Sequence, residues 1–223
     1  MAGIALVPLM GAVAVSRASA DVLFDNSGSS PSGSGDAIVN TLYASFSVGS
    51  SSELLTSITF ALFGNSSPAT ASDGGAISVM LYSDAATSPN TPLAYLGTIN
   101  DSAVTSVDGN NPSLVALAQS SPYTLNADTR YWIQLSDYSS PVTSAMWASD
   151  TDGSGTNVAS EFTINTINGG SAVSNANGAY MMLVSGIPVP EPGSLALYGS
   201  AIAALSLLVA NRRMKPSRGH RPG

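Results

Sequence analysis

The chain has 223 residues, no cysteine and a formal charge of −7. That total hides an asymmetry: between Asp21 and Pro190 the only base is Arg130, against thirteen acids, so this stretch carries about −12. Such a surface repels phosphate backbones, which excludes nucleic acid as a partner, and it also repels anionic lipid and polysaccharide unless divalent cations bridge them.

The chain opens on a targeting pattern. Ile4 to Val15 is an apolar core, and Ala18-Ser19-Ala20 has the small side chains that signal peptidase accepts at its −3 and −1 pockets. Cleavage after Ala20 makes Asp21 the mature N-terminus, so residues 1–20 read as a signal peptide. No Lys or Arg precedes the apolar run, and Arg17 lies after it. Either the leader starts upstream of Met1, or the α-amino group alone supplies the charge.

Residues 21–187 read as one ectodomain of ordinary domain size. Strand periodicity dominates. Val22-Leu23-Phe24 opens it. Leu42, Ala44, Phe46 and Val48 alternate with Tyr43, Ser45 and Ser47. Ile58, Phe60 and Leu62 share one face of the Leu54–Phe63 run, and Ile77, Val79 and Leu81 share one face of the next. Runs over 93–99, 114–118, 130–135, 161–167 and 180–184 follow. Turn chemistry separates them: Asn26-Ser27-Gly28, Ser32-Gly33-Ser34-Gly35, Asp73-Gly74-Gly75, Asp108-Gly109-Asn110 and Asn168-Gly169-Gly170. No ectodomain stretch has a 3.6 period. About ten short strands at this spacing predict an all-β fold, an antiparallel, jelly-roll-like β-sandwich.

The same stretch lacks His, Cys and Lys, since the chain's one histidine, His220, lies in the tail. Serine triads, cysteine nucleophiles, Schiff bases and His-ligated zinc each lose a required group. Carboxylate chemistry remains: Glu53 and Glu161 are the ectodomain's only glutamates, and a glycosidase needs two carboxylates about a sugar bond. In Asp150-Thr151-Asp152-Gly153-Ser154-Gly155, Asp150 and Asp152 are spaced as Ca²⁺ ligands, but the distal Glu of an EF-hand is missing. An Asx-type turn is the plainer reading. Trp132 and Trp147 are candidates for stacking on a sugar. Period 2 places Tyr131, Ile133 and Leu135 on one face and Trp132 with Gln134 on the other, and a core position is the plainer reading for both tryptophans. Arg130 has Asp128 and Asp137 as nearby partners.

The far end of the chain has three parts in order. Pro188, Pro190 and Pro192 alternate, and each stiffens an extended stalk that exposes Glu191. Gly193 to Ala210 follows with no charge; at about 1.5 Å per residue it makes roughly 27 Å of helix, near the ~30 Å hydrocarbon core. Arg212, Arg213 and Lys215 then close it as a basic stop that stays cytoplasmic. Residues 188–215 thus read as a stalk, a transmembrane helix over about 193–210 and a stop, with 216–223 a cytoplasmic tail.

Pro190-Glu191-Pro192, the apolar span and Arg212-Arg213 resemble the PEP-CTERM sorting signal of Gram-negative bacteria. The resemblance implies an exosortase-type processing enzyme as partner, alongside signal peptidase at the other end, and an association with exopolysaccharide or biofilm. The extra Pro216–Gly223 tail departs from the usual early stop. Four pieces of the ectodomain, Val22-Leu23-Phe24-Asp25-Asn26, Leu42–Phe46, Val79–Asp84 and Thr129–Leu135, resemble the bacterial choice-of-anchor module, which implies no known activity. The expectation is a non-enzymatic, exported surface or matrix protein, first held in the membrane with its ectodomain outside. It needs no cofactor, and Ca²⁺ is the only ion considered. A carbohydrate-binding module and a carboxylate-based glycosidase are the alternatives.

Overall fold

A computed structural model describes residues 19–64, 75–137, 145–166 and 170–189. The leader core with Ala18, the stalk from Pro190 with Glu191 and Pro192, the apolar span and Arg212-Arg213 lie outside the described residues. Among those described there is no α-helix, and no helix is long and apolar enough to cross a membrane.

Twelve strands are described: β1 (Asp21–Asp25), β2 (Pro31–Ala37), β3 (Leu42–Ser47), β4 (Glu53–Gly64), β5 (Ala76–Asp84), β6 (Pro89–Asn100), β7 (Ser113–Leu125), β8 (Arg130–Asp137), β9 (Ala145–Asp150), β10 (Phe162–Asn165), β11 (Val173–Ser174) and β12 (Met182–Pro188). They form two antiparallel sheets, a β-sandwich. One runs β1-β12-β4-β9-β2, with β7 also on β4; the other runs β11-β10-β3-β8-β5-β6.

β4 organises the first sheet. β7 pairs with Glu53–Leu62 along one edge. The other edge is shared: β12 takes Glu53–Phe60, and β9 takes Leu62–Gly64. One long strand can serve three partners because β12 and β9 meet it at different heights. Met181 fills the junction, donating its N–H to the Ala148 carbonyl while its own carbonyl accepts from Ala61 N–H.

The period-2 residues become the core. Leu42, Ala44, Phe46, Ile58, Phe60, Leu62, Ile77, Val79, Leu81, Ile133 and Leu135 all lie in one buried cluster between the sheets. Alternation works because successive side chains in a strand point to opposite faces. β1 breaks the rule: a register shift between Val22 and Phe24 lets the adjacent Leu23 and Phe24 both enter the core.

Two segments differ from expectation. Ser32-Gly33-Ser34-Gly35 reads as a turn but lies in edge strand β2, where the register shifts between Pro31 and Gly35. A Cβ at Gly35 would sit 2.2 Å from the Trp147 carbonyl oxygen, so this glycine serves a close backbone approach rather than a turn. β9 has no polar alternation to announce it, because Trp147 faces the main core while Ala148 belongs to a second small cluster with Ala61, Phe63 and Met181.

Candidate functional site

A cleft of about 550 Å³ opens between the β2–β9 end of one sheet and the β10–β11 end of the other. Polar groups line it, Ser32 and Asp36 from β2, Ser149 from β9, and Thr163 and Asn165 from β10, beside Val173, Ala179 and the Tyr180 ring. The Tyr180 hydroxyl donates to Asp36 Oδ2. Burial, and then the hydrogen bond and charge of Asp36, hold this phenol above its ordinary range, so it stays a donor.

A buried polar knot supports this wall. Asn26 Nδ2 donates to Asp150 Oδ2 at 2.8 Å and to the Tyr180 carbonyl at 3.2 Å, and Asn26 Oδ1 accepts from Met182 N–H at 2.8 Å. Asp150 Oδ1 accepts from Gly153 N–H at 3.0 Å and Ala179 N–H at 2.7 Å. These bonds tie β9, the loop after it and the entry to β12 into one unit.

The hydrogen bonds of Asp150 and Asp152, the candidate Ca²⁺ ligands, fit the plainer Asx-turn reading. Asp150 already accepts three N–H bonds, and exposed Asp152 accepts the Ser154 N–H at 3.0 Å, so the loop is two successive Asx-type turns. The Ser154 contacts hold the Asp152 carboxyl below its usual range. Among the described residues no three His, Cys, Asp or Glu side chains converge as a metal site.

The two tryptophans named as stacking candidates take the core positions that the plainer reading gave them. Trp132 and Trp147 are both 0 % exposed, so neither ring offers a face to a sugar. Trp147 stacks on Tyr180 with centroids 4.8 Å apart, meets Phe60 edge-on at 5.6 Å, and donates Nε1–H to the Met181 carbonyl at 3.0 Å. Trp132 lies on the outer face of the second sheet, as its parity predicts, and donates Nε1–H to Asp84 Oδ1 at 2.7 Å.

Beside Trp132 sits the one basic side chain between Asp21 and Pro190. Arg130 pairs with Glu161 at 2.9 Å and with Asp84 at 3.9 Å, and not with Asp128 or Asp137. Asp128 follows a tight turn at φ +52, and the register puts Asp137 at the far end of β8. The guanidinium also donates to the Ser160 carbonyl at 3.2 Å and lies 5.0 Å over the Phe162 ring. Glu161 is 0 % exposed, and its oxygens also accept from the Ser45 and Ser47 hydroxyls. With no accessible oxygen, it cannot serve a sugar as acid, base or nucleophile. Glu53 lines a cleft with Asp21 and Ser47, and Glu161 is not part of that lining.

Sequence reasoning missed Asn26, Asp36 and Tyr180. Their partners are 124 to 156 residues away, a distance no local pattern encodes. Of the sorting residues, only Ala20 falls among the described ones, exposed just before β1. No protein-family model matches the chain, and no curated protein is similar to it.

Proposed function

We propose that this chain is an exported, non-enzymatic surface or extracellular-matrix protein of a Gram-negative bacterium. A signal peptidase removes the leader after Ala20. The C-terminal span then holds the precursor in the membrane with the ectodomain outside, and an exosortase-type enzyme processes it near Pro190-Glu191-Pro192. Release or re-anchoring places the acidic domain in the exopolysaccharide or biofilm matrix. The carrying observation is the three-part order of the tail: a proline-spaced acidic motif, an uncharged span of membrane length and a closing Arg212-Arg213. The ectodomain's residue inventory agrees, since it has no Cys, His or Lys for covalent catalysis.

The finer fold reading, a jelly-roll-like sandwich, is supported by a chain that changes sheet at nearly every connection between β2 and β12. One observation favours a second reading, a carbohydrate-binding module. The hydroxyl- and amide-lined cleft closed by Asp36 suits a polyhydroxylated ligand better than either buried tryptophan does.

Glu191→Ala tests the sorting directly. The expected result is uncleaved precursor accumulating in the membrane fraction, with the ectodomain still folded. A variant processed to the same mature mass as wild type would contradict the proposal.

A further inference from the structure

Arg130 is the only base between Asp21 and Pro190, and Glu161 and Asp84 hold it. Every other carboxylate in the ectodomain must therefore rely on hydrogen bonds, water or a cation from elsewhere. Most lie at the surface or carry N–H donors. Glu53 does neither. It is 4 % exposed, and its Oε2 is buried with no hydrogen-bond partner.

Its position explains the burial. Glu53 starts β4 with the same parity as core residue Leu55, so it faces inward at the open end of the sandwich. There it lines a cleft of about 390 Å³ with Asp21, Ser47, Ser50, Ser51 and Asn157. β12 runs between β1 and β4, and its Gly186 pairs with Asp21. A Cβ at Gly186 would lie 3.2 Å from Glu53 Cβ and from Leu23 Cδ1, so the β12 backbone packs closely against the base of the Glu53 side chain. Asn157, in the left-handed region at φ +59, donates Nδ2 to the Leu23 carbonyl at 3.0 Å, which leaves its amide oxygen as an acceptor at the same cleft.

We propose that this mouth is a cation-binding site, built from the Glu53 and Asp21 carboxylates with the Asn157 amide oxygen beside them. A buried carboxylate without a partner is costly, and a second carboxylate nearby raises the cost. Burial, and then the charge of Asp21, push the Glu53 carboxyl above its ordinary range. Among the described residues, these two acids are the only charged groups lining the cleft. A cation removes both penalties at once.

Two sources present the required chemistry. One is a divalent ion such as Ca²⁺, which takes several oxygen ligands from carboxylates, amides and carbonyls. The other is the α-ammonium of Asp21, which leader removal would create within the site and which makes short, charge-assisted hydrogen bonds to carboxylate. The second source rests on the reading that the leader ends at Ala20.

The test is the sign of a neutral, isosteric substitution. Chains running to Gly223 are made in detergent with defined starts, one at a free-amine Asp21 and one retaining Ala18-Ser19-Ala20. Each is melted with Glu53 and with Glu53→Gln, in EDTA and in Ca²⁺. With the cation bound, Glu53→Gln lowers the melting temperature by about 3–10 °C. With no cation, the same change removes an unpaired buried charge and raises it.

A loss confined to the free-amine chain in EDTA assigns the α-ammonium. A loss in the extended chain only when Ca²⁺ is present assigns the metal. Asp21→Asn, at an exposed residue, must abolish the Ca²⁺-dependent response, whereas a response made by the α-ammonium survives it, because the amine of residue 21 remains. A gain or no change on Glu53→Gln in all arms overturns the site. Because the starts are defined, a host peptidase that cuts elsewhere changes which chain is native, not the sign measured.

Discussion

Trp147→Ala is expected to destabilise the domain by about 3–5 kcal/mol, among the largest effects of any single change. The indole is fully buried between Tyr180 and Phe60, so truncation leaves a cavity that two rings can only partly close. It also removes one of the two donors to the Met181 carbonyl, leaving only Ala61 N–H where β12, β4 and β9 meet. Opening that junction loosens the Tyr180 wall of the large cleft. In a domain of this size the melting temperature falls by about 6–20 °C. Trp147→Phe keeps most of the packing and loses only the hydrogen bond, so it is expected to cost about 1–3 kcal/mol. Thermal denaturation of the two variants side by side checks both figures. A Trp147→Ala protein that melts with wild type would mean the ring is not a core element.

Arg130→Ala is expected to cost a similar amount, about 3–5 kcal/mol, by a different route. Removing the guanidinium leaves Glu161, fully buried, with only the Ser45 and Ser47 hydroxyls for its charge. Arg130→Lys should recover only part of the loss. A single ammonium cannot reach Glu161 and the Ser160 carbonyl while lying flat over Phe162. Adding Glu161→Gln to Arg130→Ala should restore stability, because it removes the uncompensated charge. If the double variant is no more stable than Arg130→Ala alone, the pair is not the source of the effect. An Arg130→Ala protein as stable as wild type would say the same.

Both residues illustrate what the sequence reveals and what it hides. The inward set of β3, β4, β5 and β8 is legible because one face of each strand is apolar and the period is two. β2 is not legible. Its Ser and Gly content is that of a turn, and only the Trp147 carbonyl at 2.2 Å from a would-be Cβ gives Gly35 its reason. β9 is not legible either, because both of its faces are buried and no alternation survives. Trp132 is predicted on the outer face and lies there, yet its burial depends on neighbours brought together by tertiary folding. The Arg130–Glu161 pair spans 31 residues and the Asn26–Asp150 pair 124, and neither follows from spacing. The tail is the reverse case. Its meaning lies in the local order of proline, acid, apolar run and base, so the sequence is the best place to read it.

The two halves of the account depend on each other. The domain supplies a Cys-free, acidic sandwich whose large cleft carries polar groups and whose tryptophans are spent on packing. That inventory suits a matrix component better than a catalyst. On the proposed reading, placement in the matrix is the work of the tail.

Intact mass of the mature protein from its native host, compared with a strain lacking the exosortase-type enzyme, tests the central claim most directly. The account predicts a mass that ends near Pro190-Glu191-Pro192 in wild type and shifts to the full tail in the deletion strain. A chain ending at Gly223 in both strains would contradict it, leaving a protein held by its C-terminal span and removing the main support for a matrix role.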